Sequence, residues 1–270
     1  MGKLAVEGDR AIHFEHYPGE GRPVILSHGW GESCRTWDTT LPALLDNGNE
    51  VVMYDHRCCG SSDKDFRDVS IDALGSDIVA LVDHLGLSGV VLNGWSLGGA
   101  VVVDAASKLG DRCAGVISTC GATPRYTQAD GFPHGGTDEI VGQTVDALRN
   151  DRASFLHGLY FGAVFHNESV TEQVKTFCWL EGLKASPMAD PSLRSLGELD
   201  QREMLASLQT PVLVTIGAHD AVVDPGITRA AAEMAPNGTG VEFADSGHAP
   251  HMEEPDKYRS EIVSFINGLG

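Results

Sequence analysis

The hydrophobic positions of this chain follow two patterns that alternate along its length. One is a short, nearly continuous apolar run rich in Val, Ile and Leu, which is typical of a parallel strand buried on both faces. The other is a longer segment with apolar residues three and four positions apart, which is typical of an amphipathic helix. The short runs lie at 24–27, 50–54, 90–93, 114–119 and 211–216, with a weaker one at 241–244.

Helical patterns separate these predicted strands. In 71–85, the apolar residues at 71, 74, 78, 81, 82 and 85 form one face. The other predicted helices are 37–45, 97–109, 228–234 and 258–269. Two strand patterns, 4–6 and 11–16, flank a turn at 7–10 and predict an opening hairpin. This alternation predicts an α/β protein with a mostly parallel central sheet flanked by helices.

The regular alternation stops between residues 121 and 208. That segment is too long to be a simple connection in a compact domain, and it is rich in aromatic residues. We expect a helical cap at 137–203, inserted after the sixth strand, over a core formed by 1–136 and 204–270. Most of the aromatic residues are expected to fill the cap's own core. A minority, for which Phe161 and Trp179 are the candidates, are expected to line a ligand pocket.

Composition narrows the possible functions. The chain has 270 residues, a length that suits one large α/β domain with an insertion. Its net charge of −19 would repel phosphate backbones and anionic membranes, so neither nucleic acid nor a membrane is an expected partner. No N-terminal signal segment and no apolar run of about 20 residues is visible. The six cysteines lack metal-ligand spacing, which predicts reduced thiols in a cytoplasmic protein without a metal.

The segment with the clearest chemical meaning is Gly94-Trp95-Ser96-Leu97-Gly98, between a predicted strand and a predicted helix. A strand–turn–helix of this pattern presents a serine hydroxyl as a nucleophile. Gly94 and Gly98 relieve the crowding of so tight a turn, because glycine has no Cβ. The helix N-terminus also favours negative charge that develops beside Ser96. We therefore predict Ser96 as a nucleophile, with Trp95 as a neighbouring substrate-binding residue.

A second loop at the same edge of the sheet is expected to stabilise an oxyanion. His28-Gly29-Trp30-Gly31 directly follows the strand at 24–27. A loop in this place can aim a backbone N–H at the same point as the N–H of the residue after the nucleophile. The predicted donors are the amides of Trp30 and Leu97. The Trp30 side chain is also a candidate for substrate binding.

An acid and a base are expected on two later loops. Asp220 follows the strand at 211–216, and Asp224 competes with it four residues farther on. His248 follows the final strand, with His251 as its rival. Asp220 and His248 are preferred, because Asp220 lies closer to its strand end and a histidine on the later loop can reach back to Ser96.

The order Ser96, Asp220, His248 is that of one fold in particular. The chain resembles α/β-hydrolases of the small esterase, cofactor-free haloperoxidase (perhydrolase) and lactonase group. The segments that carry this resemblance are 28–30 (HGW), 55–62 (DHRCCGSS), 94–99 (GWSLGG), 217–220 (GAHD) and 247–248 (GH). One departure is Cys58, which stands where relatives carry a glycine. If that position needs a positive φ, Cys58 is strained or the loop differs.

The resemblance implies a serine hydrolase that cleaves a carboxylic ester or a lactone of an apolar small molecule through an acyl-enzyme. It implies a Ser96–His248–Asp220 triad and no cofactor. The alternatives are a lactonase for acyl-homoserine or macrocyclic lactones and a perhydrolase, in which peroxide replaces water. A different class of protein, a small-molecule receptor with a slow triad, is also consistent with these residues.

Overall fold

The computed structural model describes residues 1–270, and its strands form one eight-stranded sheet in the order β1-β2-β4-β3-β5-β6-β7-β8. The strands are β1 Gly2–Glu7, β2 Arg10–Tyr17, β3 Gly21–Ser27, β4 Asn49–Tyr54, β5 Val90–Trp95, β6 Cys113–Thr119, β7 Val212–Gly217 and β8 Gly238–Phe243. The hairpin of β1 and β2 adds antiparallel strands at one edge, and the pairs from β4 to β8 are parallel. The mostly parallel sheet and the opening hairpin are thus confirmed.

Ten α-helices connect or cover the strands. They are α1 Leu41–Asp46, α2 Ile71–Leu85, α3 Leu97–Leu109, α4 Asp138–Gly162, α5 Glu172–Gly182, α6 Pro191–Glu198, α7 Arg202–Ser207, α8 Pro225–Met234, α9 Pro250–Glu253 and α10 Pro255–Gly268. Short 3₁₀ turns lie at Cys34–Trp37, Gly110–Arg112 and Pro187–Ala189. No helix combines the length and the apolar character needed to span a bilayer.

Successive strand residues point to opposite faces of the sheet, and each face has its own hydrophobic cluster. In β3, Ile25 packs in one cluster, whereas Val24 and Leu26 pack in the other. Helices α2, α3 and α8 contribute to the first cluster, and α1 and α10 contribute to the second. Burial on both faces explains why the strands are nearly continuous apolar runs.

Helix α2 has the bounds that the sequence predicts, because local signals define both of its ends. The Ser70 side chain caps the first turn by accepting a hydrogen bond from Ala73 N–H at 3.2 Å. Gly86 ends the helix in the left-handed conformation, with φ of 66°. The apolar positions between these caps are mostly buried against the sheet.

The helix predicted at 37–45 is wrong in its first half. Residues Cys34–Trp37 form a 3₁₀ turn, and α1 begins only at Leu41. Pro42 lies in the first turn of α1, where its missing N–H does no harm. The same proline inside a longer helix would clash with the carbonyl four residues earlier, so α1 cannot extend back to Trp37.

Three other predicted boundaries are displaced by about three residues. Helices α8 and α10 begin earlier than predicted, each with a proline in its first turn. Strand β8 is Gly238–Phe243, whereas the prediction was 241–244. The first residues of β8, among them Gly238 and Gly240, pair with β7 through their backbones. Backbone pairing requires no apolar side chain, so the hydrophobic pattern did not indicate these residues.

The segment after β6 is helical, as predicted for a cap. Helix α4 packs against α5 and α6, and it is kinked at Asp151, whose φ of −152° and ψ of 83° are not helical. Residues of α4 and α6 form a cavity together with residues of the sheet loops. The division of the chain at residues 137 and 203 remains a prediction.

The parallel register brings the important loops to one edge of the sheet. Ser27 of β3 is paired with Gly94 of β5, and Gly94 is paired with Ser118 of β6. The loops that begin at His28, Ser96 and Cys120 therefore emerge side by side. These loops lie at the carboxyl ends of the parallel strands, where open α/β sheets bind their ligands.

The turn between β5 and α3 depends on close backbone contacts. Ser96 has φ of 58° and ψ of −121°, a conformation that costs a non-glycine residue about 1–3 kcal/mol. A Cβ on Gly98 would lie 2.5 Å from Ser27 O and 2.6 Å from His28 O. A Cβ on Gly94 would overlap Gly98 O. We call this turn, Gly94–Gly98, the elbow. It can form only because the residues two positions before and two positions after Ser96 are glycines.

We therefore expect Gly98→Ala to destabilise the protein by about 3 kcal/mol, because rigid backbone carbonyls cannot move away from the added methyl group. Thermal or urea unfolding measures the change. The matched control is Gly158→Ala in α4, where the new Cβ meets no atom within 4 Å. That control should keep or slightly raise stability, by up to about 1 kcal/mol. Equal stability of the two variants would contradict the crowding argument.

Candidate active site

Ser96 opens onto a cavity between the carboxyl ends of the strands and the helices that follow β6. The cavity has a volume of about 200 Å³ and is lined by 18 residues, of which 14 are hydrophobic. Ser96 and His248 are both in its wall. The Ser96 hydroxyl has no hydrogen-bond partner in the protein, and the Ser96 backbone is held by Thr119 and Ala122. The hydroxyl is therefore free to meet a ligand in the cavity.

His248 is oriented by Asp220. His248 Nδ1 lies 2.8 Å from Asp220 Oδ2, and both side chains are buried. The other carboxyl oxygen of Asp220 accepts hydrogen bonds from the amides of Val222 and Val223, each at 2.8 Å. An imidazole nitrogen that faces a carboxylate carries the proton, so Nε2 of His248 keeps its lone pair for the cavity side.

The two rivals of this pair have other roles. Asp224 caps α8 by accepting Gly226 N–H at 2.8 Å, and it also accepts Gly135 N–H at 3.0 Å. His251 is completely buried, packs against the rings of Trp37 and Trp95, and has no hydrogen bond at either ring nitrogen. Burial lowers its pKa to about 3, which keeps it neutral.

Two backbone donors are available beside Ser96. The N–H of Trp30 has no acceptor in the protein. Leu97 is the first residue of α3, and the first N–H groups of a helix lack intrahelical acceptors. Trp30 and Leu97 both line the cavity with Ser96. The structure thus brings together every residue that the sequence nominated for the triad and the oxyanion hole.

Buried polar contacts hold the loop that carries Trp30. His28 contacts Gly29 O through Nδ1 at 2.7 Å, and its Nε2 accepts His56 N–H at 2.9 Å. Burial lowers the pKa of His28 to about 4, so it is neutral. Asp55 accepts Cys34 N–H and Ser61 N–H, both at 2.7 Å. Residues of the 55–62 motif therefore hold the loop that carries Trp30 in place.

Cys58, the departure from the family pattern, has a positive φ of 65°. Its position therefore does call for the left-handed conformation that a glycine adopts without strain. The Cys58 side chain is fully buried, and burial raises the pKa of its thiol. The loop keeps its course with a strained, protonated cysteine in this place.

The aromatic candidates for substrate binding divide into two pairs. Trp30 and Trp95 line the cavity, as expected, but Phe161 and Trp179 do not. The Phe161 ring stacks on the His157 ring, with 4.2 Å between the ring centroids. Trp179 packs edge-on against the same His157 ring, with 5.3 Å between the centroids. This corrects the expectation for the cap. The α4 residues in the wall include Phe155 and Leu159, four positions apart, and Phe161 is rotated by about 200° from Leu159 around the helix.

Glu253 is a residue that the sequence analysis missed. Its buried carboxylate accepts four backbone N–H groups, from His166, Asn167, Gly247 and Ala249, at 2.8–3.0 Å. Two of these belong to the loop around His248, and two belong to the segment after α4. His248 N–H also donates to Val164 O at 2.8 Å. Glu253 thus joins the loop around His248 to the segment that follows α4. Its position five residues after His248 was the only sequence signal.

Glu32 is a second residue that was missed. It lines the cavity, it is 1% exposed, and both of its carboxyl oxygens are sealed from solvent, with the Tyr160 hydroxyl as a neighbouring hydrogen-bond donor. Burial raises its pKa from an ordinary 4.5 to about 8, and the nearby Glu181 acts in the same direction. Glu32 is therefore mostly a neutral acid at pH 7. A charged residue in a loop gives no sign of such burial in the sequence.

Cys120, Asp220 and His248 offer ligand atoms within 4.8 Å of one another, which raises the question of a metal. Metal ligation requires a cysteine thiolate. Burial raises the pKa of the Cys120 thiol well above its ordinary 9.0, and Asp220 and His248 already contact each other directly. The donor set is better suited to a hydrogen-bonded pair than to a metal ion.

Comparison with known proteins places this geometry in a family. A family model described as the alpha/beta hydrolase fold matches residues 22–255. The structure is similar to an esterase from Exiguobacterium antarcticum, with a TM-score of 0.94, 25% identity, and coverage of 99% of this chain and 100% of that one. It is also similar to a bromoperoxidase from Bacillus anthracis, with a TM-score of 0.90, 27% identity and 96% coverage of each chain. A bifunctional esterase/perhydrolase from Acinetobacter calcoaceticus is 26% identical over 98% of this chain and 99% of its own length.

We expect Glu253→Gln to lower the free energy of unfolding by about 3 kcal/mol, because an amide has one acceptor oxygen and would face the remaining N–H groups with its own NH₂. Chemical denaturation measures this, and hydrogen exchange at Gly247 and Ala249 should become faster. Glu254→Gln is the control, since Glu254 contacts only Asp245 N–H and the Ser246 hydroxyl. A larger loss for the control would contradict the role of Glu253.

Glu32 predicts a pH dependence of stability. Its folded pKa is raised, so the folded state binds more protons than the unfolded state between about pH 4.5 and 8, and stability falls as the pH rises through this range. Glu32→Gln should remove that loss. The free energy of unfolding of the variant should exceed that of the wild-type protein by an amount that increases toward pH 8. For a pKa shift of this size, that difference is at most roughly 5 kcal/mol. Calorimetry of both proteins from pH 5 to 9 measures it. A difference in Tm that does not change with pH would refute the prediction.

Proposed function

We propose, from the premise that the chain belongs to the α/β-hydrolase fold family, that it is a serine hydrolase acting on a carboxylic ester or a lactone. The observation that carries the proposal is the shared cavity of Ser96 and His248, with His248 held by Asp220 at 2.8 Å. In this proposal Ser96 is the nucleophile, His248 is the base, and Asp220 orients the imidazole.

The first half of the reaction forms an acyl-enzyme. Ser96 Oγ attacks the carbonyl carbon while Nε2 of His248 takes the hydroxyl proton. The tetrahedral oxyanion is bound by the amides of Trp30 and Leu97, which have no competing acceptors to give up. His248 then gives its proton to the leaving alkoxide oxygen, and the carbon–oxygen bond to the alcohol breaks.

The second half returns the free enzyme. His248 takes a proton from water, the hydroxide formed attacks the acyl-Ser96 carbonyl, and the same amides bind the second oxyanion. His248 protonates Ser96 Oγ as the acid product leaves. Asp220 stays ionised throughout and stabilises the imidazolium that forms in each half. The chemistry uses no metal and no organic cofactor.

The cavity supports a small and largely apolar substrate. Its volume of about 200 Å³ lies below the usual range for drug-sized ligands, roughly 300–1,000 Å³. A neighbouring cavity of about 450 Å³ shares wall residues with it, among them Tyr126, Thr144 and Val222, and is more polar. We assign the enclosing role to a cap at 137–203, because Phe155, Leu159 and Leu193 of this segment line the first cavity.

Perhydrolysis is the second candidate function. It is favoured by one observation, that a full-length relative is a bifunctional esterase/perhydrolase. In that reaction hydrogen peroxide replaces water in the second half and releases a peracid from the same acyl-Ser96. Lactone hydrolysis uses the first mechanism unchanged, with the alcohol remaining attached to the acyl group as a hydroxy acid.

The test is hydrolysis of 4-nitrophenyl esters of graded acyl length, with a lactone panel beside it. Ser96→Ala should lower kcat by at least about 10³-fold, because the nucleophile is lost while binding is kept. A fluorophosphonate should label the wild-type protein at Ser96, as mass spectrometry of the peptides would show. Peracid formation with added peroxide measures the second candidate.

The matched control is Ser107→Ala, an exposed serine in the same helix α3 that makes no contact with the cavity. It should retain wild-type activity. If Ser96→Ala kept the activity of the control, or if the wild-type protein hydrolysed none of the esters or lactones, the proposed function would fail.

A further inference from the structure

Trp95 connects the proposed nucleophile to the proposed base. Its backbone, at the end of β5, directly precedes Ser96 and is paired with Thr119 of β6. Its side chain reaches His248, which lies 153 residues farther along the chain, and the indole Nε1–H donates a hydrogen bond to His248 O at 2.8 Å. The two aromatic rings also pack together, with 5.5 Å between their centroids. One side chain therefore joins the elbow to the loop that carries the base.

The Trp95 indole is the only protein group that donates a hydrogen bond to the carbonyl of His248. The other parts of His248 have different partners. Its ring nitrogen Nδ1 contacts Asp220, and its backbone N–H donates to Val164 O at 2.8 Å. Glu253 accepts the backbone N–H groups on either side of His248 and does not contact its carbonyl. The orientation of this carbonyl therefore depends on Trp95.

Packing fixes the direction in which the indole points. Trp95 is 2% exposed, and a Cβ on Gly29 would lie only 3.0 Å from its Cε3 atom. The ring of His251 packs edge-on against the indole, with 4.9 Å between the centroids, and Trp37 packs against His251 at the same separation. Because buried side chains are close-packed, the indole has little room to turn. Its N–H is thus a rigid donor.

A rigid donor at this carbonyl matters for proton transfer. A general base works only within hydrogen-bond reach of the proton that it takes, and small displacements of a reacting group are costly. His248 is buried, so without the indole its carbonyl would be left unpaired, and the peptide would turn toward another donor. That rotation would tilt the bond from Cα to Cβ, which carries the imidazole, and would change the distance from Nε2 to Ser96.

We propose that Trp95 is a positioning residue, which holds His248 at the distance from Ser96 that proton transfer requires. It does so through the hydrogen bond from its indole N–H to the His248 carbonyl. This inference rests on the proposed serine hydrolysis. Trp95 acts through His248 and not on the substrate, since a side chain that is 2% exposed offers a ligand little contact area.

The first experiment is Trp95→Phe, which keeps an apolar ring and removes the N–H donor. With 4-nitrophenyl butanoate, kcat should fall by about ten- to a hundredfold, and KM should stay within about threefold of the wild-type value. The rate of labelling by a fluorophosphonate should fall in the same proportion as kcat, because that reaction also needs His248 to take the Ser96 proton. A raised KM with an unchanged kcat would contradict the proposal and assign Trp95 to substrate binding.

Trp37→Phe is the matched control. Trp37 is also buried and packs against the same His251 ring, but its Nε1 has no hydrogen-bond partner. This variant loses the same atoms without losing a hydrogen bond, so its kcat should stay near the wild-type value. Equal losses of kcat in the two variants would overturn the proposal.

A second replacement removes the donor and keeps the shape of the side chain. In 3-(benzothiophen-3-yl)alanine a sulfur atom stands in place of the indole N–H, so this residue at position 95 fills the same space. It should reproduce the loss of kcat, and it serves as the test if Trp95→Phe does not fold. A wild-type kcat with this residue would overturn the proposal.

A measurement without turnover separates this inference from the proposed function. In protein labelled with ring-¹³C histidine, the Cε1–H signal of His248 is assigned by its loss in His248→Ala. The signal should broaden or divide in Trp95→Phe, because the imidazole then adopts more than one orientation, and it should keep its width in Trp37→Phe. That result would support the role of Trp95 even if no ester were hydrolysed. An unchanged signal in Trp95→Phe would contradict it even if esters were good substrates.

Discussion

The site depends on one steric constraint, the contact of the elbow backbone with the end of β3. Gly98 lies so close to the Ser27 and His28 carbonyls that no Cβ fits between them, and Ser96 is held in a conformation that its own side chain disfavours. This contact sets the distance between β3 and α3. It also places the loop that carries Trp30 beside the first turn of α3. The positions of the proposed nucleophile and of both proposed oxyanion donors therefore follow from one packing arrangement.

The histidine is positioned by a different device, because it lies on a loop far from the elbow in the chain. Asp220 orients the ring of His248, and Glu253 holds the backbone on either side of it. The same carboxylate holds the segment that follows α4. Since a carboxylate has room for four N–H donors, one side chain can tie two loops together. A displacement of the segment that follows α4 would therefore also displace the backbone around His248.

The cavity combines a largely apolar wall with a few polar groups, among them Ser96, His248 and Glu32. Apolar residues of α4 and α6 line the space in front of Ser96, and surroundings of low polarity strengthen the electrostatic interactions there. In the same low-polarity space a carboxylate would be costly, so Glu32 is held as a neutral acid.

The sequence by itself determined the fold and nominated the proposed nucleophile and its proposed partners, because these depend on local patterns. Apolar runs mark buried strands, capping residues bound α2, and the glycines around Ser96 signal a crowded elbow. Only the tertiary structure decided which polar residues lie at the candidate site and which residues of 137–203 line the cavity. The sequence favours Asp220 over Asp224 only by its nearness to the strand end, whereas the structure shows that Asp224 caps a helix and that Asp220 contacts His248. Phe161 and Trp179 face away from the cavity, and Glu32 and Glu253 are buried, for a common reason. Burial and facing arise from contacts between residues distant in the chain, which hydrophobic periodicity does not encode.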